Sequence, residues 1–364
     1  MVYGGDENDR FLRATNPKTQ TPNPDDVGRG PWAEKQTAQD AIATMIRAKA
    51  VLAPMAGITD IPFRMLARKF GCKFAFTEMV DINGIFYKNR KSLSLIKRFP
   101  GDDPLGVQLA GEDADRFLEV AKLCEDMGFS VIDINAGCPA RKVIKGGKGS
   151  ALLKDVKKLA EIIKKVKSGV SIPVTIKIRS GWDELNLNYI EVAKMAEAEG
   201  AGAICIHPRT TEKMFKGKID HSIIGEIKRS VKIPVFASGN IFTSSDAKDL
   251  LDQNICDGVF VARGAFGHPW IFREINELLS KGEVTFWVEF EEIKKIMLEH
   301  FKLCLGFYNE VLARKRMYKH VSWYLKGYKN LNEIMEEYLK VQNLEDFQRF
   351  LDRIYLEGNR LIVL

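Results

Sequence analysis

Several things the sequence lacks narrow its identity before any motif is read. No apolar run approaches the ~20 residues that a membrane-spanning helix requires, so a transmembrane protein is not expected. The six cysteines, at 72, 124, 138, 205, 256 and 304, contain no CxxC pair. Thiols scattered in this way argue against a structural zinc site and against the disulfide framework of a secreted domain. The five histidines have no metal-type spacing, and no metal is expected. No fixed-period solenoid repeat stands out, and GGKG at 146–149 lacks the spacing of a dinucleotide fingerprint. The opening MVYGGDENDR has early acids and no apolar stretch, so no leader peptide is visible and the expected location is cytoplasmic.

What is present is the composition of a soluble globular protein: 45% hydrophobic, 28% charged, with a formal charge of +7. A mildly basic balance permits a polyanionic partner without requiring one. The 364 residues allow one large domain plus an appendage, since an α/β barrel alone takes about 250 residues. Residues 1–45 are rich in Asn, Asp, Pro, Thr and Gly and become periodic only in AEKQTAQDAIATMIRAK. They read as an N-terminal extension, irregular or partly helical.

From Val51 onward, short apolar runs recur at 51–54, 74–79, 105–110, 131–135, 174–178, 203–207, 235–238 and 258–262. Amphipathic stretches such as DADRFLEVAKLCEDMG separate them and close on glycine. Eight strand-then-helix alternations with buried-type strands predict a closed parallel β/α (TIM) barrel over 46–285. Strand signals stop after that, and 286–364 reads as an all-helical domain. Within it, residues 311–330 carry six lysines and arginines, no carboxylate, and Tyr318, Trp323, Tyr324 and Tyr328. Such a mixture suits a nucleic-acid backbone with bases to stack.

Barrel chemistry gathers at the C-terminal ends of the strands. PMAG (54–57) follows the first run, Gln108 ends the third, Asn135 to Cys138 follow the fourth, and Lys177 and Arg179 end the fifth. His207 and Arg209 end the sixth, SGN (238–240) the seventh, and ARG (262–264) the eighth. Glycine-bearing turns after strands seven and eight form the usual phosphate cradle, so a phosphorylated ligand is implied. A lysine such as Lys177 beside that ligand brings positive charge to an electron-rich ring, as flavin enzymes do. Cys138 lies between Gly137 and Pro139 in a loop after a barrel strand, a position that sets it apart from buried thiols such as Cys124 and Cys205.

LAPMAGITDIPFR (52–64), DINAGCPARKV (133–143), VTIKIRSGW (174–182), IHPRT (206–210) and ARGAFGHPWIF (262–272) together resemble the tRNA-dihydrouridine synthases. KHVSWYL (319–325) most resembles the bacterial B-type members. Two turns depart from the family pattern: SGN stands where NGD is frequent, and HPRT where HGRT is.

The resemblance implies FMN-dependent reduction of the C5–C6 double bond of a D-loop uridine in tRNA, with NADPH as a transient electron donor and uridine 17 as the favoured target. By position, Pro54, Met55, Ala56, Gln108, Lys177, His207, Ser238, Gly239, Asn240, Ala262 and Arg263 contact FMN. Cys138 is then the catalytic proton donor: a hydride delivered to C6 of uracil leaves an enolate that must be protonated at C5. A thiol of ordinary pKa about 8.5 holds its proton at neutral pH, although nearby cations pull that value down. Asn135, Arg141, Lys142, Arg179, Arg209, Arg314, Lys315 and Arg316 are the expected tRNA contacts, with Lys145 and Lys148 beside the loop as further cations. A monomer is expected. Two rivals remain at this stage, an FMN-dependent small-molecule ene or pyrimidine reductase and a non-catalytic tRNA-binding protein.

Overall fold

The computed structural model describes residues 38–363. The part of the N-terminal extension before residue 38 lies outside them. Eight strands close a parallel barrel in sequential order: β1 (Ala50–Leu52), β2 (Ala75–Asp81), β3 (Leu105–Ala110), β4 (Val131–Ala136), β5 (Val174–Arg179), β6 (Ala203–His207), β7 (Val235–Ser238) and β8 (Gly258–Val261). Closure is made by β1 against β8, with Ala50 opposite Val259 and Leu52 opposite Val261. The strands are buried almost throughout. Helices cover one face and the barrel interior the other, which is why the runs read as mainly apolar segments on both faces.

Side-chain caps set several helix starts. Asp60, Asp113 and Asp155 each accept the N–H three residues on, and Thr243 with Asp246 forms a reciprocal capping box. Each such cap stabilises its helix by about 1 kcal/mol.

The periodic end of the extension has a definite place. Helix Ala38–Ala48 buries Ala41, Met45 and Ala48 against Val51, Phe74, Val131, Ala203, Phe236 and Phe260. These are residues at or near the strand starts, so the helix covers the barrel end opposite the reactive rim. Phe76 and Phe236 both pack on Phe260, with ring centroids 5.3 and 5.6 Å apart.

By compactness the described residues form two units, 38–265 with 269–286, and 266–268 with 287–363. The second contains helices Phe290–Phe307, Glu310–Tyr324, Leu331–Leu339 and Leu344–Arg353. A two-stranded antiparallel ribbon, β9 (Ile354–Glu357) and β10 (Arg360–Val363), follows; helical periodicity had no means of signalling so short a pair. Its core is built on Met297, Phe301, Met317, Val321 and Phe347, all fully buried. Phe266 stacks on Trp323 at 4.1 Å within this unit.

Candidate active site

Strand register assembles the reactive residues in layers. Gln108 lies opposite Asp133 and Asp133 opposite Thr175; one step up, Asn135 pairs with Lys177, and above that Arg179 pairs with His207. Side chains two apart on one strand point the same way, so these polar groups rise through the barrel toward its C-terminal rim. They are also linked by hydrogen bonds. Thr175 Oγ1 donates to Asp133 Oδ1 at 2.7 Å and Gln108 Nε2 to Asp133 Oδ2 at 2.6 Å. Asn135 Nδ2 donates to Gln108 Oε1 at 2.7 Å. Asn135 Oδ1 in turn accepts the backbone N–H groups of Cys138 (2.9 Å) and Gly137 (3.2 Å).

Cys138 is therefore held in a turn fastened from several sides. Its carbonyl accepts from the N–H and the hydroxyl of Ser150, at 3.1 and 3.0 Å. Gly149 allows this approach: its φ is +61°, and a Cβ there would stand 2.8 Å from the Cys138 oxygen. Thus the GGKG run serves close backbone passage beside the thiol. Of the six cysteines only Cys138 is partly exposed; the other five are buried. Burial raises its pKa above the ordinary thiol value, while the Ala140 N–H, Arg179 and Lys177 pull the other way without prevailing. The sulfur keeps its proton at neutral pH despite the cations nearby.

Arg179, expected at the RNA, is 2% exposed. Its Nε donates to the Gly137 carbonyl at 2.8 Å and its Nη1 to those of Thr210 and Met214 at 2.9 and 2.6 Å. Arg209 is similarly committed, to the carbonyls of Lys216 and Gly217 and to His207 Nε2 at 3.1 Å. Both arginines thus donate to backbone, the first of them to the Cys138 turn itself. Lys148 is bound to Asp81 at 2.9 Å and to Glu112 at 3.4 Å, which ties the same loop to the end of β2. Arg141, Lys142 and Lys145 are exposed beside it.

The other half of the rim is electropositive. His207 is nearly buried, and desolvation first, then Lys177, Arg179, Arg209 and Arg263, hold its pKa down to about 2. Its ring is neutral at any working pH. Asn240 Oδ1 accepts from Arg209 at 3.3 Å and from Arg263 at 3.2 Å. Gly239 and Asn240 both have positive φ, and a Cβ on Gly239 would lie 2.7 Å from Ile219 and 3.3 Å from His207 Nε2. The glycine thus lets the chain turn tightly against His207 after β7, where this fold usually receives a phosphate. Among the described residues Lys177 and Arg263 make no salt bridge, so positive charge is available to a ligand. The PMAG turn is held by Thr59 Oγ1, which accepts the Met55 N–H at 2.9 Å, and by Glu78, which accepts the N–H of Gly57. Ser238 is buried at the end of β7 and Ala262 is partly exposed after β8.

The structure thus brings together Pro54, Met55 and Ala56 at the end of β1 with the groups from β3 to β8. Arg314, Lys315 and Arg316 belong to the helical unit. There Ala313, Met317, His320, Val321 and Tyr324 turn inward while Lys315, Tyr318 and Lys319 are exposed. Arg314 is half-buried with Nη1 on the Val341 carbonyl, and the Arg316 guanidinium lies 4.9 Å from the Tyr308 ring centroid. Of the aromatics interleaved with this basic run, Trp323 and Tyr328 pack on Phe266 and Phe290, and Tyr324 is buried. Tyr318 keeps the most open ring.

Sequence reading gives Asp133 no role and passes over Thr175 and Ser150. Polar residues alternating inside an otherwise apolar β4 were the available signal for the first. Among the described residues no helix is long and apolar enough to cross a membrane, and no cluster of three or more His, Cys, Asp or Glu is placed to hold a metal.

The family described as Dihydrouridine synthase (Dus) matches residues 51–357. A protein named tRNA-dihydrouridine synthase B from Pseudomonas putida is 43% identical over 281 residues, covering 77% of this chain and 83% of that one. A Vibrio vulnificus protein of the same name is 37% identical over 313 residues, covering 85% and 97%. Among solved structures, a 2-naphthoyl-CoA reductase complex superposes with a TM-score of 0.52 at 13% identity, over 63% of this chain and 50% of that one. That likeness is one of fold.

Proposed function

The chain belongs to the dihydrouridine synthase family, and from that membership we propose that it is an FMN-dependent oxidoreductase reducing the C5–C6 double bond of a D-loop uridine in tRNA, with NADPH as reductant and Cys138 as proton donor. The observation that carries the reading is Cys138 itself. It is the one partly exposed cysteine, in a turn fixed by Asn135, Ser150 and Arg179 at the rim where barrel enzymes work.

The rim suits a flavin phosphate. The positive-φ turn at Gly239 and Asn240 and the exposed Arg263 offer N–H groups and charge to the anion, and the neutral His207 closes that end. Lys177 brings its ammonium to the same rim, where it would stabilise negative charge on the ring system. Pro54, Met55, Ala56 and Gln108 would border the ring, with Ser238 and Ala262 beside the phosphate. When bound, FMN supplies the hydride. Delivery of the proton belongs to the chain: Cys138 Sγ holds it because desolvation outweighs the neighbouring cations. The exposed Arg141, Lys142 and Lys145, and Lys315 on the helical unit, are the cations best suited to RNA phosphates. The target base must leave its stack to reach the thiol, at a cost of a few kcal/mol that these backbone contacts offset.

The test is an anaerobic half-reaction experiment. NADPH should reduce the reconstituted yellow protein, and unmodified tRNA, but not free uridine, should restore the oxidised-flavin absorbance. Cys138→Ala should retain flavin and NADPH oxidation while forming no dihydrouridine; product at the wild-type rate would remove the thiol from the mechanism. Reoxidation by a free enone or pyrimidine with none by tRNA would favour a small-molecule reductase, and tRNA binding without turnover a non-catalytic RNA-binding protein.

A further inference from the structure

The hydrogen-bond chain beneath Cys138 has a direction. Amide side chains are nearly symmetrical in shape but not in polarity, since one end accepts and the other donates. Asn135 must turn its oxygen to the N–H groups of Gly137 and Cys138, which leaves its NH2 facing Gln108. Gln108 must then turn its oxygen to Asn135 and its NH2 to position 133. The chain closes only on a group that accepts. Asp133 does so with one oxygen and takes the Thr175 hydroxyl on the other. All four side chains are buried, and a reversed amide would place donor against donor, at the full cost of a buried unsatisfied group. The carboxyl reaches a pKa of about 6 under desolvation, so at neutral pH it accepts only.

We propose that Asp133 is a positioning residue that sets the polarity of this relay and, through Gln108 and Asn135, the turn that presents Cys138. It acts on the thiol's placement and touches neither proton nor substrate. Its importance to turnover rests on the reading of Cys138 as proton donor, whereas its effect on the turn does not.

A swap of charge and amide tests the direction. Asn135→Asp leaves an acceptor under the Cys138 N–H but turns a second acceptor toward Gln108, which cannot donate to both ends. Adding Asp133→Asn reverses the whole chain: the introduced amide donates to Gln108, Gln108 donates to the introduced carboxylate, and the Cys138 N–H keeps its acceptor. The readout is amide hydrogen exchange at Gly137 and Cys138 in the full-length protein, with helix Val156–Gly169 as the internal standard for global folding. In Asn135→Asp the side chain under the turn loses its hydrogen bond to Gln108, and a turn released from that anchor should open more often, with exchange at Gly137 and Cys138 about tenfold faster; the double variant should return to within about threefold of wild type.

Exchange in the double variant as fast as in Asn135→Asp, or no change in Asn135→Asp, would overturn the proposal. Should Asn135→Asp not fold, Asp133→Val removes the acceptor and keeps a strand-compatible side chain. Faster exchange at Cys138 with the reference helix unmoved then supports the relay, and unchanged exchange overturns it. Rescue of exchange accompanied by dihydrouridine formation in Cys138→Ala would keep the relay and discard the proton-donor reading.

Discussion

Replacing Arg179 by methionine should loosen the barrel at the point where the thiol is held. The buried guanidinium gives three hydrogen bonds to backbone carbonyls, those of Gly137, Thr210 and Met214. Bonds from a charged donor contribute about 1.5–3 kcal/mol each, so the gross loss is roughly 6 kcal/mol. Against that, burial, with Arg209 adding, depresses the arginine pKa to about 10, which corresponds to an opposing cost of about 3 kcal/mol. The net loss is about 3 kcal/mol, or a fall in Tm of roughly 6–12 °C for a unit of this size. Arg179→Lys should recover only a minor part, because an ammonium cannot reproduce the planar fork that spans separated carbonyls. Calorimetry measures the first effect and the rate of Cys138 alkylation by iodoacetamide the second, which should rise as Gly137 is released. A stability change within about 0.5 kcal/mol, the range of an ordinary surface substitution, would refute this reasoning. Lost stability with unchanged alkylation would refute the link from Arg179 to the thiol.

The remaining predictions concern the helical unit. Charge reversal at the exposed Lys315 and Lys319 should weaken tRNA binding and flatten its salt dependence by about 0.7–0.9 in log–log slope for each phosphate no longer neutralised; an unchanged slope would take this helix away from RNA. Arg314→Ala, by contrast, should act mainly on stability, since its guanidinium is engaged by the Val341 carbonyl. His300 is buried against His320, with ring centroids 4.4 Å apart, and desolvation lowers its pKa to about 3. A base whose folded pKa lies below its unfolded value contributes stability that is present above pH 6.5 and lost as pH falls toward 3. At pH 5 the loss from His300 is about 2 kcal/mol, and His320 adds in the same direction. His300→Gln should therefore flatten the acid limb of unfolding curves recorded between pH 7 and 5, and identical slopes in the two proteins would contradict the burial of this ring as the cause.

The eight strands were legible because each is largely buried on both faces and so leaves a short, mainly apolar run of four to six residues, as GVFVA shows. Helix ends were legible where a glycine closes an amphipathic stretch. The reactive rim could be read from strand ends alone, since a parallel barrel delivers all of them to one side. The helix Ala38–Ala48 was visible as a period, yet its seat against the strand starts was not, because no local pattern encodes what a long-range contact covers.

Cys138, Lys177, His207 and Gly239 stand out in the sequence because residue type and strand position together suffice to single them out. Whether a cation is free or already engaged depends on carbonyls and carboxylates distant along the chain. Arg179 meets Met214, Lys148 meets Asp81, and Arg314 meets Val341, and none of these pairings follows from composition. The same holds for the thiol's proton. By its neighbours in sequence Cys138 sits among cations that would draw the proton away, and only folding supplies the desolvation that keeps it, because burial is a property of the packed barrel and not of the loop.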